Sequence, residues 1–518
     1  MIIMKNNSKF YCNPVLKGFR PDPSVIRVGQ DYYLVNSSFQ YFPAIPIYHS
    51  KDLVNWKQIG FGIERDDFLD LKSVDDSRGV WAPDISYKNG WYYIFFPFVI
   101  GHGDNLISEI WVIKSPYPEG PYSEPISLGY KGIDPSHFVD SNGSSYLVYN
   151  PGVRIAKLNE SLDGIIEEER ILWSGTGRSH PEGPHVFKRG DYYYTLLSEG
   201  GTFYDHCITV ARSKKLFGHY QPCPYNPILI QKDEKSEFQR PGHGKPVITQ
   251  DSDWWILYLG SRLNEGRFST LGRETFLDPI KWTKDNWPII NEGKGPSKKN
   301  YYPDLKVNET FEPLFDDFND EKLRFNWITP RHSKSYDIKN SHLIINLDIN
   351  DLDTKSAANA ILRREISHFY EAKAKLKYTP KNSNEEAGIC CYYGIDDYIS
   401  IGLRKTKCCY SLIVTTKING NKNIIAKRMI KKIDGYIYFK VKVIRQKRIL
   451  FYSLNGEKWI ELSVINQSKF LSDEGCKNGG FTGTMIGFYG WNKCINKKSQ
   501  LFIDWFDYKI LYDKEVVK

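Results

Sequence analysis

The sequence predicts an all-β protein: a five-bladed β-propeller followed by an antiparallel β-sandwich. Two observations carry that expectation. A proline-led unit of strand, polar turn and aromatic strand occurs five times within roughly the first 290 residues, the texture of stacked all-β repeats. Beyond it lies a stretch of alternating strands without such prolines.

The first unit is Arg20-Pro21-Asp22-Pro23-Ser24-Val25, with the strand Val25 to Val28, a Gly-Gln-Asp turn and the strand Tyr32 to Val35. A residue before proline is driven from the helical region, so Asp22 is expected on extended backbone at the strand's entrance. Pro83 leads Asp84 to Tyr87 and then Trp91 to Phe95; Pro135 leads Ser136 to Val139 and then Ser145 to Tyr149. Pro184 leads His185 to Phe187 and then Tyr192 to Leu196; Pro246 leads Val247 to Thr249 and then Trp254 to Tyr258. Ile110 to Ile113 and Ile208 to Ala211 supply outer strands between copies. The propeller is placed at 1–291 and a linker rich in Gly, Pro, Lys and Asn at 292–310. The sandwich takes 311–518, with a strand near Tyr436 to Val443, a hairpin turn at Asn455-Gly456 and a closing strand at Leu501 to Phe506.

Composition narrows the function. With 15% aromatic and 41% hydrophobic residues the chain is folded, and surplus aromatics suit sugars, which present flat C–H faces. The net charge of +9 is spread as Lys through polar segments, without a basic helix, zinc-finger spacing or RNP-like stretch, so no nucleic-acid partner is expected. The 9 Cys include the adjacent pairs Cys390-Cys391 and Cys408-Cys409, which match no disulfide or metal pattern. Met1 to Asn7 lacks the apolar core of a signal peptide, and no apolar run is long enough to span a bilayer. A reduced, cytoplasmic protein with no membrane partner is the expectation.

In a propeller the equivalent ends of the innermost strands meet around one channel. Aligning the five units on their prolines brings together Asp22, Trp81, Asp134, Glu182 and His243. Three crowded carboxyl groups drive their proton affinities apart, and one acid kept protonated opposite one base kept ionised is what glycoside hydrolysis requires. Asp22, with Arg20 two residues away to hold it ionised, is the expected general base. Glu182, with the longer side chain, is the expected general acid. Asp134 raises the pKa of Glu182 and orients it.

These segments, with Ser38 to Pro43, His49 to Trp56, Val80 to Pro83, Pro181 to His185 and Leu271 to Thr275, resemble glycoside hydrolase family 43. The second half resembles the concanavalin-like sandwich of its β-xylosidase and α-L-arabinofuranosidase branch. The resemblance implies the same three roles for Asp22, Asp134 and Glu182. It further implies that Arg273 hydrogen-bonds the terminal sugar and that Trp81 and Phe39 wall its subsite. Phe481, in Gly479-Gly480-Phe481-Thr482-Gly483, would close the site from the second domain. His243 matches a histidine that in relatives lies near a calcium ion in the channel, although no cofactor is expected to be required. Gln40 and Ala44 stand where relatives often carry Glu and Gly, and both are expected to border the sugar pocket.

The expected function is exo-acting, inverting hydrolysis that releases terminal pentoses from xylo-oligosaccharides or arabinose-substituted glycans. The preference between β-D-xylose and α-L-arabinofuranose stays open, as does assembly into a homo-oligomer. An endo-arabinanase and a non-catalytic carbohydrate-binding propeller are the alternatives. The first needs an open groove, and the second predicts loss of some of the three acids.

Overall fold

The structure is a computed structural model that describes residues 9–101, 103–331, 336–355, 359–477, 480–494 and 498–512. Met1 to Asn7 and Gly479 of the sequence reading lie outside the described residues. No helix among the described residues is long and apolar enough to cross a membrane. None of the nine Cys is in a disulfide.

The proline-led units become the first strands of five antiparallel sheets in chain order. Ser24–Val28, Asp31–Val35, Ala44–Ser50 and Lys57–Ile63 form the first. Asp84–Lys88, Trp91–Ile100, Ile107–Ser115 and Ile126–Ser127 form the second, with Gly79–Val80 paired to Trp91–Ile100. Ser136–Val139, Ser145–Tyr149, Val153–Lys157 and Arg170–Trp173 form the third. The fourth begins with Glu182–Arg189, Tyr192–Glu199 and Cys207–Ser213; the fifth contains Phe238–Ile248, Trp254–Arg262, Arg273–Trp282 and Pro288–Ile290. Each first strand neighbours that of the next sheet, and Phe238–Ile248 returns to Ser24–Val28.

A separate apolar core fills each gap between successive sheets. Val35, Ile47, Ile85 and Ile94 pack between the first and second; Phe95, Val112, Leu147 and Ala156 between the second and third. Val148, Val186 and Leu197 continue the series, then Tyr194, Val210 and Tyr258. Trp255, Leu257, Val25 and Leu34 close the fifth sheet onto the first. Full burial of each such side chain is worth about 1.5–3 kcal/mol, so five shared cores lock the sheets together.

The second half packs two antiparallel sheets face to face. One places Ser499–Ile510 between Leu343–Leu347 and Phe369–Lys377 and continues through Ile437–Ile444 and Lys447–Ser453; the other is centred on Met485–Asn492 and Glu385–Gly394. Trp327 fills the space between them, its ring 5.4 Å from Phe488 and 5.1 Å from Phe506. Asn455-Gly456 lies in the connection from Lys447–Ser453 to Ile460–Ile465, where Gly456 takes a φ of 81°.

A further core joins the halves, with Phe19, Phe39 and Tyr41 packed against Leu362, Tyr392, Tyr489 and Trp491. Tyr41–Phe42 also pairs with Thr329–Pro330 of the second half. Trp81 and Phe481 lie at the edge of this core, partly buried.

Candidate active site

Asp22, Asp134, Glu182, Trp81, Phe39, Arg273, His243 and Phe481 all line one small cavity. Residues up to 459 positions apart in sequence therefore meet because first strands of the sheets adjoin and the sandwich reaches over their ends. Ala82, Ile133 and Thr202 complete the lining; the sequence offered no polar or aromatic signal to single out the first two.

Asp22 and Asp134 do not sit on extended backbone, as their following prolines led us to expect. Both adopt a φ of 53°. The left-handed region avoids the helical clash with proline, and Asp tolerates it better than most residues. Asp22 is 4% exposed. Its Oδ2 accepts from Ser37 Oγ, and Arg273 Nη1 donates to Oδ1 at 3.2 Å. Arg20 does not perform that task. Its guanidinium pairs with Glu312 at 2.7 Å and donates to Tyr48 at 3.0 Å, because Glu312 and Tyr48 enclose it on the side away from the cavity. Arg273, remote in sequence, replaces it.

Glu182 begins its strand, which bulges before His185. Burial, and then the nearby Asp134 carboxylate, push the Glu182 carboxyl up to about 8, against the opposing pull of Arg273. Burial also raises Asp134, opposed by His243; the Gly183 amide donates to its Oδ2 at 2.9 Å.

His206 was not anticipated. Its Nδ1 lies 3.2 Å from the Arg240 carbonyl, so Nδ1 is the donor and Nε2 carries the lone pair, 3.9 Å from Glu182 Oε1. Burial pushes this imidazole down to about 3. A neutral ring facing Glu182 gives no ionic support to a carboxylate, which agrees with a protonated acid. Gly242 makes the approach possible, since a Cβ there would meet His206 Cε1 at 2.0 Å.

Trp81, Phe39 and Phe481 form an aromatic box. Phe39 and Phe481 are stacked at 6.1 Å, and Trp81 meets Phe481 edge-on at 5.4 Å. Ser77 ties Trp81 to Phe481: its carbonyl accepts from Trp81 Nε1 at 3.1 Å and its hydroxyl accepts from the Phe481 amide at 3.0 Å. Arg273 Nη2 donates to the Phe481 carbonyl at 3.3 Å, and its buried Nε has no protein partner. Gln40 and Ala44 do not line the cavity. Gln40 Oε1 accepts from the Ser77 amide at 2.9 Å, and Ala44 is buried in the core between the first two sheets.

His243 lies inside the strand Phe238–Ile248 rather than at its entrance, because irregular pairing around Gly242 lengthens that strand. Its Nδ1 is 3.5 Å from Asp22 Oδ1. Calcium takes six to eight oxygen ligands, and among the described residues no group of three or more His, Cys, Asp and Glu side chains is arranged for a metal. Asp84 is bound by the Lys245 ammonium, which also donates to Ser24 Oγ at 3.0 Å and the Ile85 carbonyl at 2.9 Å. Among the described residues His243 belongs to no such group, and no step below uses a calcium ion.

Such a cavity can hold one sugar ring against aromatic faces, fix a hydroxyl by Arg273, and present a protonated carboxyl together with a hydrogen-bonded carboxylate. Comparison with known proteins gives the same direction. The profile of glycosyl hydrolases family 43 matches residues 11–288, and that of the beta xylosidase C-terminal concanavalin A-like domain matches 315–509. A non-reducing end alpha-L-arabinofuranosidase of Bacteroides ovatus is 33% identical, over 97% of this chain and 95% of its own. A beta-xylosidase of Bacillus subtilis is 31% identical over 92% and 95%. The crystal structure of a family 43 protein from Bacillus licheniformis superposes with a TM-score of 0.94 at 44% identity, covering 97% of this chain and 100% of that one.

Proposed function

The chain belongs to glycosyl hydrolases family 43, and on that premise we propose that it is an exo-acting, inverting glycosidase that releases terminal pentoses. Its substrates are β-D-xylosides, α-L-arabinofuranosides or both, the activities named for its relatives. The observation that carries the reading is the Glu182 carboxyl, held up to about 8 within the same cavity as Asp22.

Glu182 is the general acid and protonates the glycosidic oxygen as the bond breaks. Asp22 is the general base and takes a proton from the attacking water on the opposite face of the ring. Asp134 disfavours ionisation of Glu182 until the leaving group departs. Arg273, which lines the cavity, orients Asp22 and binds a sugar hydroxyl. The five sheets are read as blades of one propeller, supported by the ring of first strands and the five cores between sheets. Closure of the cavity by Phe481 favours exo action over the open groove of an endo-arabinanase, and the presence of all three acids speaks against a purely binding role.

The test is hydrolysis of p-nitrophenyl β-xyloside and α-arabinofuranoside by the wild type and Glu182→Ala. Release by the wild type and its loss in the variant are expected. A folded wild type that cleaves no pentoside ends the enzymatic reading. Proton NMR of the first-formed anomer tests inversion, and a retained configuration removes Asp22 from the role of base.

A further inference from the structure

The two pairs of adjacent cysteines, Cys390-Cys391 and Cys408-Cys409, meet opposite fates in the fold. Cys390 and Cys391 lie within the strand Glu385–Gly394, where successive side chains point to opposite faces. Cys391 is accordingly buried in the core of the sandwich and Cys390 in the core that joins the two halves. No single atom can bond both of these sulfurs.

Cys408 and Cys409 lie instead in the hairpin loop between the strands Asp397–Lys405 and Tyr410–Ile418, where Lys405 pairs with Tyr410. The loop is closed on itself. The Thr406 amide and hydroxyl both donate to the Cys409 carbonyl at 2.8 Å, and the Cys409 amide donates back to Thr406 Oγ1 at 3.2 Å. Thr406 Oγ1 also lies 3.1 Å from Cys409 Sγ and so positions that sulfur. The tight turn brings the two thiols together. Their sulfurs are 3.8 Å apart, with Cys408 exposed and Cys409 half-buried.

That separation selects the chemistry. Adjacent Cα atoms stand about 3.8 Å apart, whereas an unstrained disulfide wants about 4.4–6.8 Å, so direct closure of the pair is disfavoured. One atom bonded to both sulfurs at about 2.3 Å, with an angle of roughly 100–110°, holds them about 3.5–3.8 Å apart. A bridging thiophilic centre therefore fits the sulfurs where they stand. A structural zinc ion takes four ligands, and among the described residues no group of three or more His, Cys, Asp and Glu side chains offers them. Trivalent arsenic that already carries one organic group needs only two.

We propose that Cys408 and Cys409 form a dithiol site that captures trivalent organoarsenicals. A compound R–As(OH)2 reacts with both thiols: two As–S bonds form, two As–O bonds break, and two waters leave with the thiol protons. Arsenic stays trivalent, so no oxidant or reductant takes part. The second As–S bond closes within the loop, and such linkage strengthens the hold by about 100-fold or more over one thiol alone. Asp397, at the far end of the strand, lines the same cavity as Phe481. About 27 Å of strand separates that end from the loop, so the site is independent of the pentosidase reading.

The test treats the full-length protein with phenylarsine oxide, adds rising glutathione, and counts retained arsenical by native mass spectrometry. The wild type should hold one arsenical per chain against glutathione and release it to the dithiol 2,3-dimercaptopropanol. Cys408→Ser and Cys409→Ser should each lower the affinity by about 100-fold or more, while Cys12→Ser and Cys390→Ser should match the wild type. Circular dichroism melts of the variants separate lost capture from lost folding. A folded wild type that glutathione strips as readily as it strips Cys408→Ser overturns the proposal. Retention unchanged in both Cys408→Ser and Cys409→Ser overturns it as well, by placing the arsenical on other thiols.

Discussion

Arg273 Nη1 donates to Asp22 Oδ1 at 3.2 Å across the seam where the fifth sheet returns to the first. The same guanidinium reaches the Phe481 carbonyl of the sandwich at 3.3 Å. One side chain thus connects the proposed base, the sugar subsite and the closing aromatic residue.

Replacing Arg273 with Met should therefore lower kcat/KM on an aryl pentoside by about 100-fold or more, the size of a lost charged donor in a closed site. Steady-state kinetics on p-nitrophenyl substrates provide the measurement. Loss of less than fivefold would show that the contact with Asp22 is incidental.

Glu182 sets the alkaline limit. With its carboxyl up to about 8, activity should hold through neutrality and fall as pH rises past that value, as the acid loses its proton. Stability shares the sign. The folded protein binds this proton more tightly than the unfolded chain, so the contribution is full below the unfolded carboxyl range and is lost as pH rises through the folded value. Glu182→Gln should be inactive yet more stable than the wild type at pH 9, by on the order of 1–4 kcal/mol. Urea titrations at pH 5 and pH 9 test this; equal stability differences at both would contradict it.

Phe481 closes the cavity against Phe39 and Trp81. Phe481→Ala should raise KM about tenfold, with a smaller effect on kcat, because the lost contact is with the sugar ring rather than the reacting bond. A variant with wild-type KM would place Phe481 in the interdomain core alone.

Arg240 is enclosed by Asp473, Glu474 and the Thr202 carbonyl. Arg240→Ala should destabilise the protein by about 3–5 kcal/mol, the cost of leaving buried carboxylates without their partner. Thermal unfolding followed by tryptophan fluorescence measures it, and a melting temperature within one degree of the wild type would argue that water replaces the guanidinium freely.

Gly242→Ala needs space already taken by the His206 ring. It should abolish activity on aryl pentosides while the isolated change elsewhere on the same strand, Val247→Ala, leaves most activity in place.

The all-β class and the five proline-led strands were legible in the sequence, since both rest on short-range rules: strand-forming residues, polar turns and a proline at each strand's start. The gathering of Asp22, Asp134 and Glu182 followed from the repeat, because equivalent positions of equivalent units must meet once their first strands adjoin. Local reasoning failed where partners are set by packing. Proximity suggested Arg20 for Asp22, yet Glu312 and Tyr48 capture Arg20 and Arg273 arrives from the fifth sheet. The proline rule gave Asp22 extended backbone, yet the ring's geometry holds it at a φ of 53°. His206, the Ser77 tether and the Arg240 clamp carry no sequence signature, because each gains its role only from atoms brought within about 4 Å by the closed ring and the docked sandwich. The sequence by itself determined which strands form and which acids stand at their ends. Tertiary structure decided the charges around those acids, since the proton affinity of a buried carboxyl depends on desolvation and neighbours that only folding assembles.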